Sequence, residues 1–257
     1  MLPEERREAI VEKVNRSDRV TVDELIEEFG VSGATIRRDL ASLAEEGHIE
    51  RFHGGALPSS TGSDSSSDSH GEVQNPSGKR AIAEQAIQEL DEGDAVFFDT
   101  GTTAMAVARA IPEALSLLVA TNSPETAFEL REACGEVKVV GDSLRQTSDA
   151  LVGRGAESYL RKTNFDVVFL ESDAVQADGS LSVSNEDEAR IKSLLCEGGR
   201  QVILVADGGK LDGQSFREFA TLEDIDVFIT DVTVEQDLRE VLDRADVRVV
   251  DGLLAVN

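Results

Sequence analysis

Short polar segments follow several apolar runs in the second half of the sequence, and the first of them carries groups suited to binding a phosphorylated sugar. It runs from Asp99 through Gly101, Thr102 and Thr103, directly after the run AVFF, and it opens a helical pattern. Free backbone N–H groups and the dipole at the start of a helix attract an anion such as phosphate. The two threonine hydroxyls can join this contact, and the Asp99 carboxylate can orient a sugar hydroxyl.

Two further segments have the same position relative to an apolar run. Thr121 and Asn122 follow LLVA, and Lys210 follows ILVADGG, where it supplies a positive charge for a phosphate or a carboxylate. A hydroxyl at the start of a helix is more often a helix cap than a ligand contact, so each segment alone is a weak indication. The three segments together predict a polyol-phosphate pocket.

A pair of arginines near the start of the sequence indicates a different chemistry, the recognition of DNA. Arg37 and Arg38 lie in TIRRDL, and apolar residues repeat at helical spacing both before and within this segment. Gly30 suits a left-handed helix end and Ser32 suits the cap of the next helix, so the pattern predicts a helix-turn-helix whose second helix enters DNA. The alternative is an ordinary helical hairpin whose arginines are only solvated.

The segment after this second helix is typical of a wing. Ile49 and Phe52 alternate in HIERF and two glycines follow, which predicts a short strand and a turn. Because adjacent helical residues point about 100° apart, we expect one of the two arginines to contact a base edge and the other a phosphate. The further candidates for phosphate contacts are Ser32, Thr35, Arg51 and His53.

Seven apolar runs in residues 79–257 predict the strands of a parallel sheet. Most are apolar at consecutive positions, as in strands buried on both faces, and helical patterns at residues 79–90, 103–111, 124–133 and 186–196 separate them. The second domain is therefore α/β, with ligands expected beyond the carboxyl ends of its strands. The runs are AVFFD from Ala95, LSLLVAT from Leu115, VKVV from Val137, DVVFLE from Asp166, QVILVAD from Gln201, DVFITD from Asp226 and VRVV from Val247.

A low-apolar segment divides the chain into two predicted domains. Residues 58–78 are rich in Ser, Asp and Gly and cannot bury enough surface to order themselves, which predicts a flexible linker. Before it, residues 3–15 predict a first helix and residues 19–21 a small strand that pairs with the wing. We therefore expect a winged helix-turn-helix domain at 1–57, a linker at 58–78 and an α/β sensor domain at 79–257.

The charge of the chain is unusual for a protein expected to bind DNA. The 257 residues include 25 basic and 51 acidic side chains, which gives a formal net charge of −26. Only 6 of the basic residues are Lys, so 19 are Arg. Such a surface is typical of proteins adapted to molar salt, where screening weakens long-range attraction to phosphates and leaves base edges and shape to give specificity. The alternative is an acidic protein from an ordinary cytoplasm.

Other features of the composition favour a cytoplasmic location without a metal or a cofactor. The start of the chain lacks an apolar signal core, and no apolar run approaches the length of a membrane span. Cys134 and Cys196 have no metal-binding spacing and are expected to be buried thiols. His48, His53 and His70 fall in the wing region and the linker, so we expect no histidine metal site.

The motifs above resemble those of the DeoR family of transcriptional regulators. VSGATIRRDLASLAEEG at Val31 to Gly47 and HGGA at His53 to Ala56 are similar to the family's N-terminal pattern. In the sensor half, Lys79 with Ile82-Ala83, Asp99 to Thr103, Thr121-Asn122, and Ala206-Asp207 with Lys210 are similar to its K-x-x-IA, D-x-GTT, TN and AD-x-x-K pieces. The chain departs from the family pattern at Asp142, where a glycine is usual, at Gly208-Gly209, where Ser-Ser is usual, and at ESDAV after FDVVFL, where a glycine-rich form is usual.

This resemblance implies a sensor domain with the fold of ribose-5-phosphate isomerase and a repressor of sugar, fructose or glycerol metabolism genes. It implies that the partners are double-stranded operator DNA and a phosphorylated sugar effector, and that the protein is a dimer or tetramer. Effector binding is then expected to change the placement of two DNA-binding domains in the oligomer. The implied effector residues are Asp99, Gly101, Thr102, Thr103, Thr121, Asn122 and Lys210.

Two alternatives compete with a regulator. The first is a sugar-phosphate isomerase with a DNA-binding appendage, in which Asp99, Asp173 or Glu186 acts as the base and Lys210 stabilises the enediolate. The second is an oligomerisation module that binds no small molecule. Turnover of a sugar phosphate would support the first alternative, and the absence of any small-molecule binding would support the second.

Overall fold

The computed structural model describes residues 3–16, 20–45, 49–52, 55–58, 75–112 and 115–253. Contacts between residues divide the chain into two units, residues 1–72 and 73–257. Each unit has its own hydrophobic core.

The first unit contains three helices and three short strands in its described residues. Apolar side chains of all three helices and of two strands share one core, in which Ile10, Leu25, Ile36 and Ala56 are fully buried. This order confirms the predicted winged helix-turn-helix. The elements are α1 (Pro3–Arg16), β1 (Val20–Thr21), α2 (Val22–Phe29), α3 (Gly33–Glu45), β2 (Ile49–Phe52) and β3 (Gly55–Pro58).

Local capping interactions define both ends of α2. At its start, the Thr21 hydroxyl accepts a hydrogen bond from the Glu24 N–H, and the Glu24 carboxylate accepts one from the Thr21 N–H. This reciprocal pair satisfies two N–H groups that have no partner within the helix. At its end, Gly30 has φ +63° and donates its N–H to the Ile26 carbonyl, so the predicted left-handed helix end is confirmed.

The wing strands form a three-stranded antiparallel sheet. Its order is β1-β3-β2, with Val20 opposite Ala56 and Arg51 also opposite Ala56 on the other side. The predicted pairing of the strand before α2 with the wing is therefore confirmed. The sheet places the wing beside the core that also holds the helix-turn-helix.

The second unit alternates strands and helices. Its described helices are α4 (Pro76–Ala86), α5 (Thr102–Ala110), α6 (Pro124–Cys134), α7 (Arg154–Leu160), α8 (Glu186–Gly198) and α9 (Gln236–Arg244). Its strands are β4 (Ala95–Phe98), β5 (Leu118–Thr121), β6 (Val137–Val139), β7 (Ser143–Leu144), β8 (Leu151–Val152), β9 (Phe165–Leu170), β10 (Ala174–Val175), β11 (Ser180–Val183), β12 (Gly199–Val205), β13 (Arg217–Thr221), β14 (Val227–Ile229) and β15 (Arg248–Val250). Short 3₁₀ turns cover Ile87–Glu89, Gly208–Lys210 and Leu222–Asp224.

Seven of these strands form a parallel sheet in the order β15-β14-β12-β9-β4-β5-β6. They are the seven apolar runs, so the predicted α/β fold is confirmed. Phe97 packs into a core on one side of the sheet and Phe98 into a core on the other, which explains why the runs are apolar at consecutive positions. The strand order makes the segments after β12, β9, β4 and β5 neighbours at the carboxyl edge.

Several elements differ from the pattern read in the sequence. The helix expected from residue 79 begins at Pro76, because the Asn75 side chain accepts a hydrogen bond from the Gly78 N–H and caps the helix. Helices α7 and α9 and the antiparallel strands β10, β11 and β13 were not predicted. Strands β10, β11 and β13 are short or interrupted, and they lie outside the parallel sheet whose long apolar runs gave the signal.

Candidate functional site

The predicted DNA-contacting residues that the structure describes lie on helix α3 and on the residue directly before it. Ser32 is exposed, and its hydroxyl accepts a hydrogen bond from the Thr35 N–H at 3.2 Å. The hydroxyls of Ser32 and Thr35 also lie 2.9 Å apart. Arg38 is exposed on the next turn of the helix. Two hydroxyls and one guanidinium group are therefore at least partly accessible at the start of α3.

The other predicted DNA contacts are described in part or lie outside the described residues. Arg37 belongs to α3 and Arg51 to β2, and their side chains are outside what the structure describes. His53 lies outside the described residues altogether.

A buried ion pair, which the sequence analysis missed, fixes α3 against α1. Asp39 of TIRRDL is 3% exposed and accepts a hydrogen bond from Arg6 Nε at 2.7 Å. Arg7 Nε also lies 3.4 Å from the other carboxylate oxygen. A carboxylate at this depth needs such partners, because burial of an unpaired charge is costly. Asp39 therefore positions the helix that carries the two arginines.

At the carboxyl edge of the large sheet, Asp99 is buried, and both of its carboxylate oxygens accept hydrogen bonds from protein groups. One carboxylate oxygen accepts from the Thr100 N–H at 2.8 Å, and the other accepts from the Glu171 N–H at 3.0 Å and from Lys192 Nζ. Lys192, which lies on α8 and is also buried, donates to the Glu171 carbonyl at 3.0 Å. The ion pair thus connects the ends of β4 and β9 to α8.

Glu171, directly after β9, reaches the first turn of α5. Its carboxylate accepts a hydrogen bond from the Ala104 N–H, one of the amides that lack a partner within the helix. Gly101, at the N-cap of α5, has φ +150°, and a Cβ atom there would lie 2.2 Å from Glu171 Oε2. The backbone at Gly101 and the Glu171 carboxylate are therefore in close contact.

Burial and the neighbouring charges together raise the pKa of the Glu171 carboxyl group. Burial raises the pKa of its carboxyl group from 4.5 to about 7, and the nearby Asp99 carboxylate adds to that rise. The Ala104 N–H, Lys192 and Lys210 act in the opposite direction. Glu171 consequently changes charge close to neutral pH, whereas an exposed glutamate does not.

Lys192 and Lys210 differ in burial and in ion pairing. Burial favours the neutral form of Lys192, but the carboxylates of Asp99 and Glu171 outweigh that effect and raise its pKa. Lys210, at the end of the 3₁₀ turn after β12, is half-buried. It forms no ion pair with a carboxylate in the described part of the chain, yet it is close enough to lower the pKa of Glu171.

The remaining predicted effector residues lie around the same edge. Thr102 is exposed and Thr103 is buried, both on the first turn of α5. Thr121 and Asn122, at the end of β5, are buried; the Thr121 hydroxyl accepts from the Ser123 N–H, and Asn122 Oδ1 accepts no hydrogen bond from the described residues. Within the described ranges, no hydrogen bond joins these two residues to Asp99, Glu171 or Lys192.

A groove runs between α4 and α5 next to Thr102. Its volume is about 390 Å³, and its charged lining residues are Lys79, Arg80, Glu84 and Arg109. Two contacts, one buried and one partly buried, fix α4 at the carboxyl edge: Lys79 pairs with Asp207 at 3.4 Å, and Asn75 donates to Asp231 at 2.8 Å.

Other backbone N–H groups at this edge also donate hydrogen bonds to carboxylates of the protein. Asp231 accepts from the Gly208 N–H at 2.8 Å, and Asp207 accepts from the Gly209 N–H at 2.9 Å. Asp142, at the position where the family pattern has glycine, accepts from the Gly155 N–H at 2.7 Å and so caps α7. Three amides of these loops therefore donate to carboxylates of the protein itself.

The described residues contain neither a membrane-spanning helix nor a metal-binding cluster. No helix in the described ranges combines the length and the apolar character of a membrane span. No group of three His, Cys, Asp or Glu side chains among the described residues is arranged to hold a metal ion.

Family models match both halves of the chain. A DeoR-like helix-turn-helix domain matches residues 6–61, and a DeoR C terminal sensor domain matches residues 74–232. A structure of ribose 5-phosphate isomerase A from Methanocaldococcus jannaschii aligns with a TM-score of 0.38 and 17% identity, covering 52% of this chain and 53% of that chain.

Relatives over nearly the full length are transcriptional regulators. The HTH-type transcriptional regulator GlpR of Haloferax volcanii is 50% identical over 98% of this chain and 99% of its own length. The glycerol-3-phosphate regulon repressor of Escherichia coli is 31% identical over 93% of this chain and 94% of its own length. The Haloferax source of the first relative is consistent with the predicted adaptation to high salt.

The names of these relatives decide between the function classes. They describe regulators and repressors rather than enzymes, so the isomerase alternative is not supported and the chain is a DNA-binding regulator of the repressor type. Together with the winged helix-turn-helix and the parallel α/β sheet, the matched models and relatives show that this chain belongs to the DeoR family of transcriptional regulators.

Proposed function

We propose that the protein is a cytoplasmic repressor of carbohydrate or glycerol metabolism genes and that a phosphorylated sugar or polyol gates its binding to operator DNA. The name of the Escherichia coli relative, a glycerol-3-phosphate regulon repressor, supports this class of signal. The proposed domains are a DNA-binding domain, predicted at 1–57, a linker, predicted at 58–78, and a sensor domain, predicted at 79–257, whose first helix α4 begins at Pro76. The protein acts as a dimer or tetramer, because operators read by helix-turn-helix proteins usually contain two half-sites.

The observation that carries the sensor assignment is the position of Lys210. It is a cation without an ion-pair partner among the described residues, it ends the 3₁₀ turn after β12, and its charge lowers the pKa of Glu171, whose carboxylate is bound at the start of α5. A phosphate bound there meets the Lys210 ammonium group and the first turn of α5 with the Thr102 hydroxyl. Asp99 acts indirectly in this proposal, because its carboxylate holds Lys192 and the Glu171 backbone.

The other predicted residues complete the two proposed sites. The sugar part of the effector extends from the phosphate towards β5, where the buried Asn122 Oδ1 is an acceptor without a partner among the described residues. The proposed effector residues are Asp99, Gly101, Thr102, Thr103, Thr121, Asn122 and Lys210. The proposed DNA contacts are Ser32, Thr35, Arg37, Arg38, Arg51 and His53.

Substitutions in the sensor domain test this function. We expect Lys210→Ala to weaken effector binding by about 10-fold to 100-fold, because hydrogen bonds to charged groups contribute about 1.5–3 kcal/mol. Thr102→Val should remove the effector response of operator binding. Both variants should bind operator DNA like the unaltered protein when no effector is present, and Lys162→Ala, at an exposed lysine, serves as the matched control. A full effector response in both variants would contradict the proposed site.

A further inference from the structure

The Glu171 side chain occupies space at the start of α5 that an anion would use. Its carboxylate is bound to the Ala104 N–H, and the whole residue is 7% exposed. Helix α5 is nine residues long and begins at Thr102 with a glycine before it, so its first amides are accessible to an anion in the absence of a side chain. In this structure a carboxylate of the protein holds that position.

The contact with Gly101 shows how closely the carboxylate covers the helix start. A Cβ atom at Gly101 would lie between 2.2 and 2.5 Å from three atoms of the Glu171 carboxyl group. A phosphate and this carboxylate therefore cannot occupy the position at the same time. The carboxylate comes from Glu171 of ESDAV, the segment that directly follows β9.

Charged groups from three neighbouring elements act on Glu171. The Asp99 carboxylate, at the end of β4, disfavours the charged form. Lys192 on α8 and Lys210 after β12 favour it. Binding of an anionic effector adds a further negative charge, which favours the neutral carboxyl group.

We propose that Glu171 is an internal competitor for the effector's anion, and that the effector binds when this carboxyl group takes up a proton and releases the Ala104 amide. The proposal rests on the proposed function, because it assigns the anion of the effector to the start of α5. Under this proposal, the protonation state of Glu171 makes the affinity for the effector depend on pH.

The direction of the pH dependence follows from linkage. The Glu171 pKa of about 7 in the free protein means that the carboxyl group is mostly neutral at pH 6 and mostly charged at pH 8. If only the neutral form admits the anion, the apparent Kd increases as the inverse of the neutral fraction. Effector affinity is therefore highest below pH 7 and falls as the pH rises through that value.

Calorimetric titration of the full chain at constant KCl tests the proposal. The probes are glycerol 3-phosphate, fructose 1-phosphate and inorganic phosphate, each added to the unaltered protein and to Glu171→Gln at several pH values. We expect the unaltered protein to bind about 10-fold more weakly than Glu171→Gln near pH 8 and about equally near pH 6. The ionisation of the ligand itself cancels in this ratio, because both proteins bind the same probe.

Proton uptake gives a second readout that needs no variant. Titration of the unaltered protein near pH 8 in two buffers of different ionisation enthalpy should show about one proton taken up per anion bound, beyond the uptake of the probe itself. Glu171→Ala provides a second substitution with the same expected gain in affinity.

The outcomes separate this inference from the proposed function. Binding of a probe with no excess proton uptake, and with equal affinity for the unaltered protein and the Glu171 variants near pH 8, would overturn the competitor role and leave the sensor function. Failure of every probe to bind any of the proteins would overturn the sensor function and this inference with it.

Discussion

The carboxylate of Asp39 on α3 accepts a 2.7 Å hydrogen bond from Arg6 on α1, and both residues are buried. Asp39 follows the two arginines assigned to DNA recognition, so the same short segment TIRRDL supplies both the recognition side chains and the group that holds their helix in place. Arg38 is exposed while Asp39 is not, because adjacent helical residues point in different directions.

Loss of this ion pair should destabilise the DNA-binding unit. We expect Asp39→Ala to reduce its free energy of unfolding by about 3–5 kcal/mol, because the substitution leaves the buried Arg6 without its carboxylate. A unit of this size has little stability to lose, so operator binding should disappear as well.

Hydrogen exchange of the α3 amides in molar KCl measures this loss of stability in the Asp39→Ala variant. Lys13→Ala, which removes a more exposed ion pair with Glu28, is the control. Equal α3 exchange in the two variants would contradict the structural role of Asp39.

The two arginines of α3 should contribute to DNA binding without contributing to the fold. We expect Arg37→Ala or Arg38→Ala to weaken operator binding by about 1–3 kcal/mol, and the variant that loses a base contact should also lose sequence preference. Fluorescence anisotropy with operator and unrelated DNA measures both quantities. Arg217→Ala, at an exposed arginine of the sensor domain, is the control. Unchanged binding by both α3 variants would exclude this assignment.

Gly101 should tolerate a side chain poorly for two separate reasons. Gly101→Ala strains a backbone with φ +150° and places a methyl group against the Glu171 carboxylate. Gly93→Ala, where φ is +90° and the space is open, carries only the backbone strain of about 1–3 kcal/mol. Thermal unfolding should therefore show a larger loss for Gly101→Ala. Glu171→Ala in the same chain should recover part of it, and a loss no larger than that of Gly93→Ala would contradict the close contact.

The acidic surface predicts a requirement for salt. With a formal net charge of −26, self-repulsion should unfold the chain when dialysis removes the screening ions. Circular dichroism should record loss of helical signal at low salt and its recovery when molar KCl is restored. Retention of the full signal at low salt would favour an acidic protein of an ordinary cytoplasm.

The sequence predicted the parallel sheet because strands buried on both faces leave continuous apolar runs. The run around Phe97 and Phe98 is an example, since the two rings enter cores on opposite sides of the sheet. Helix ends were also predictable where a single residue type controls them, as at Gly30.

The buried charges could not be predicted in the same way, because their partners are distant in sequence. Asp99 and Lys192 are separated by 93 residues, and Asp39 and Arg6 by 33. One signal was available for Lys192: it is one of only 6 lysines and lies among apolar neighbours on the helical pattern of residues 186–196. The segment ESDAV, which contains Glu171, differs from the glycine-rich form of the family pattern. That difference did not indicate that the Glu171 carboxylate reaches α5.

Operator binding with and without sugar phosphates is the most direct test of a repressor gated by a phosphorylated effector. The purified chain is added to DNA from upstream of its own gene in molar KCl, and a panel of phosphorylated sugars and polyols is then titrated. We expect specific DNA binding that one of these phosphates alters. Specific DNA binding that none of them alters would contradict the sensor function.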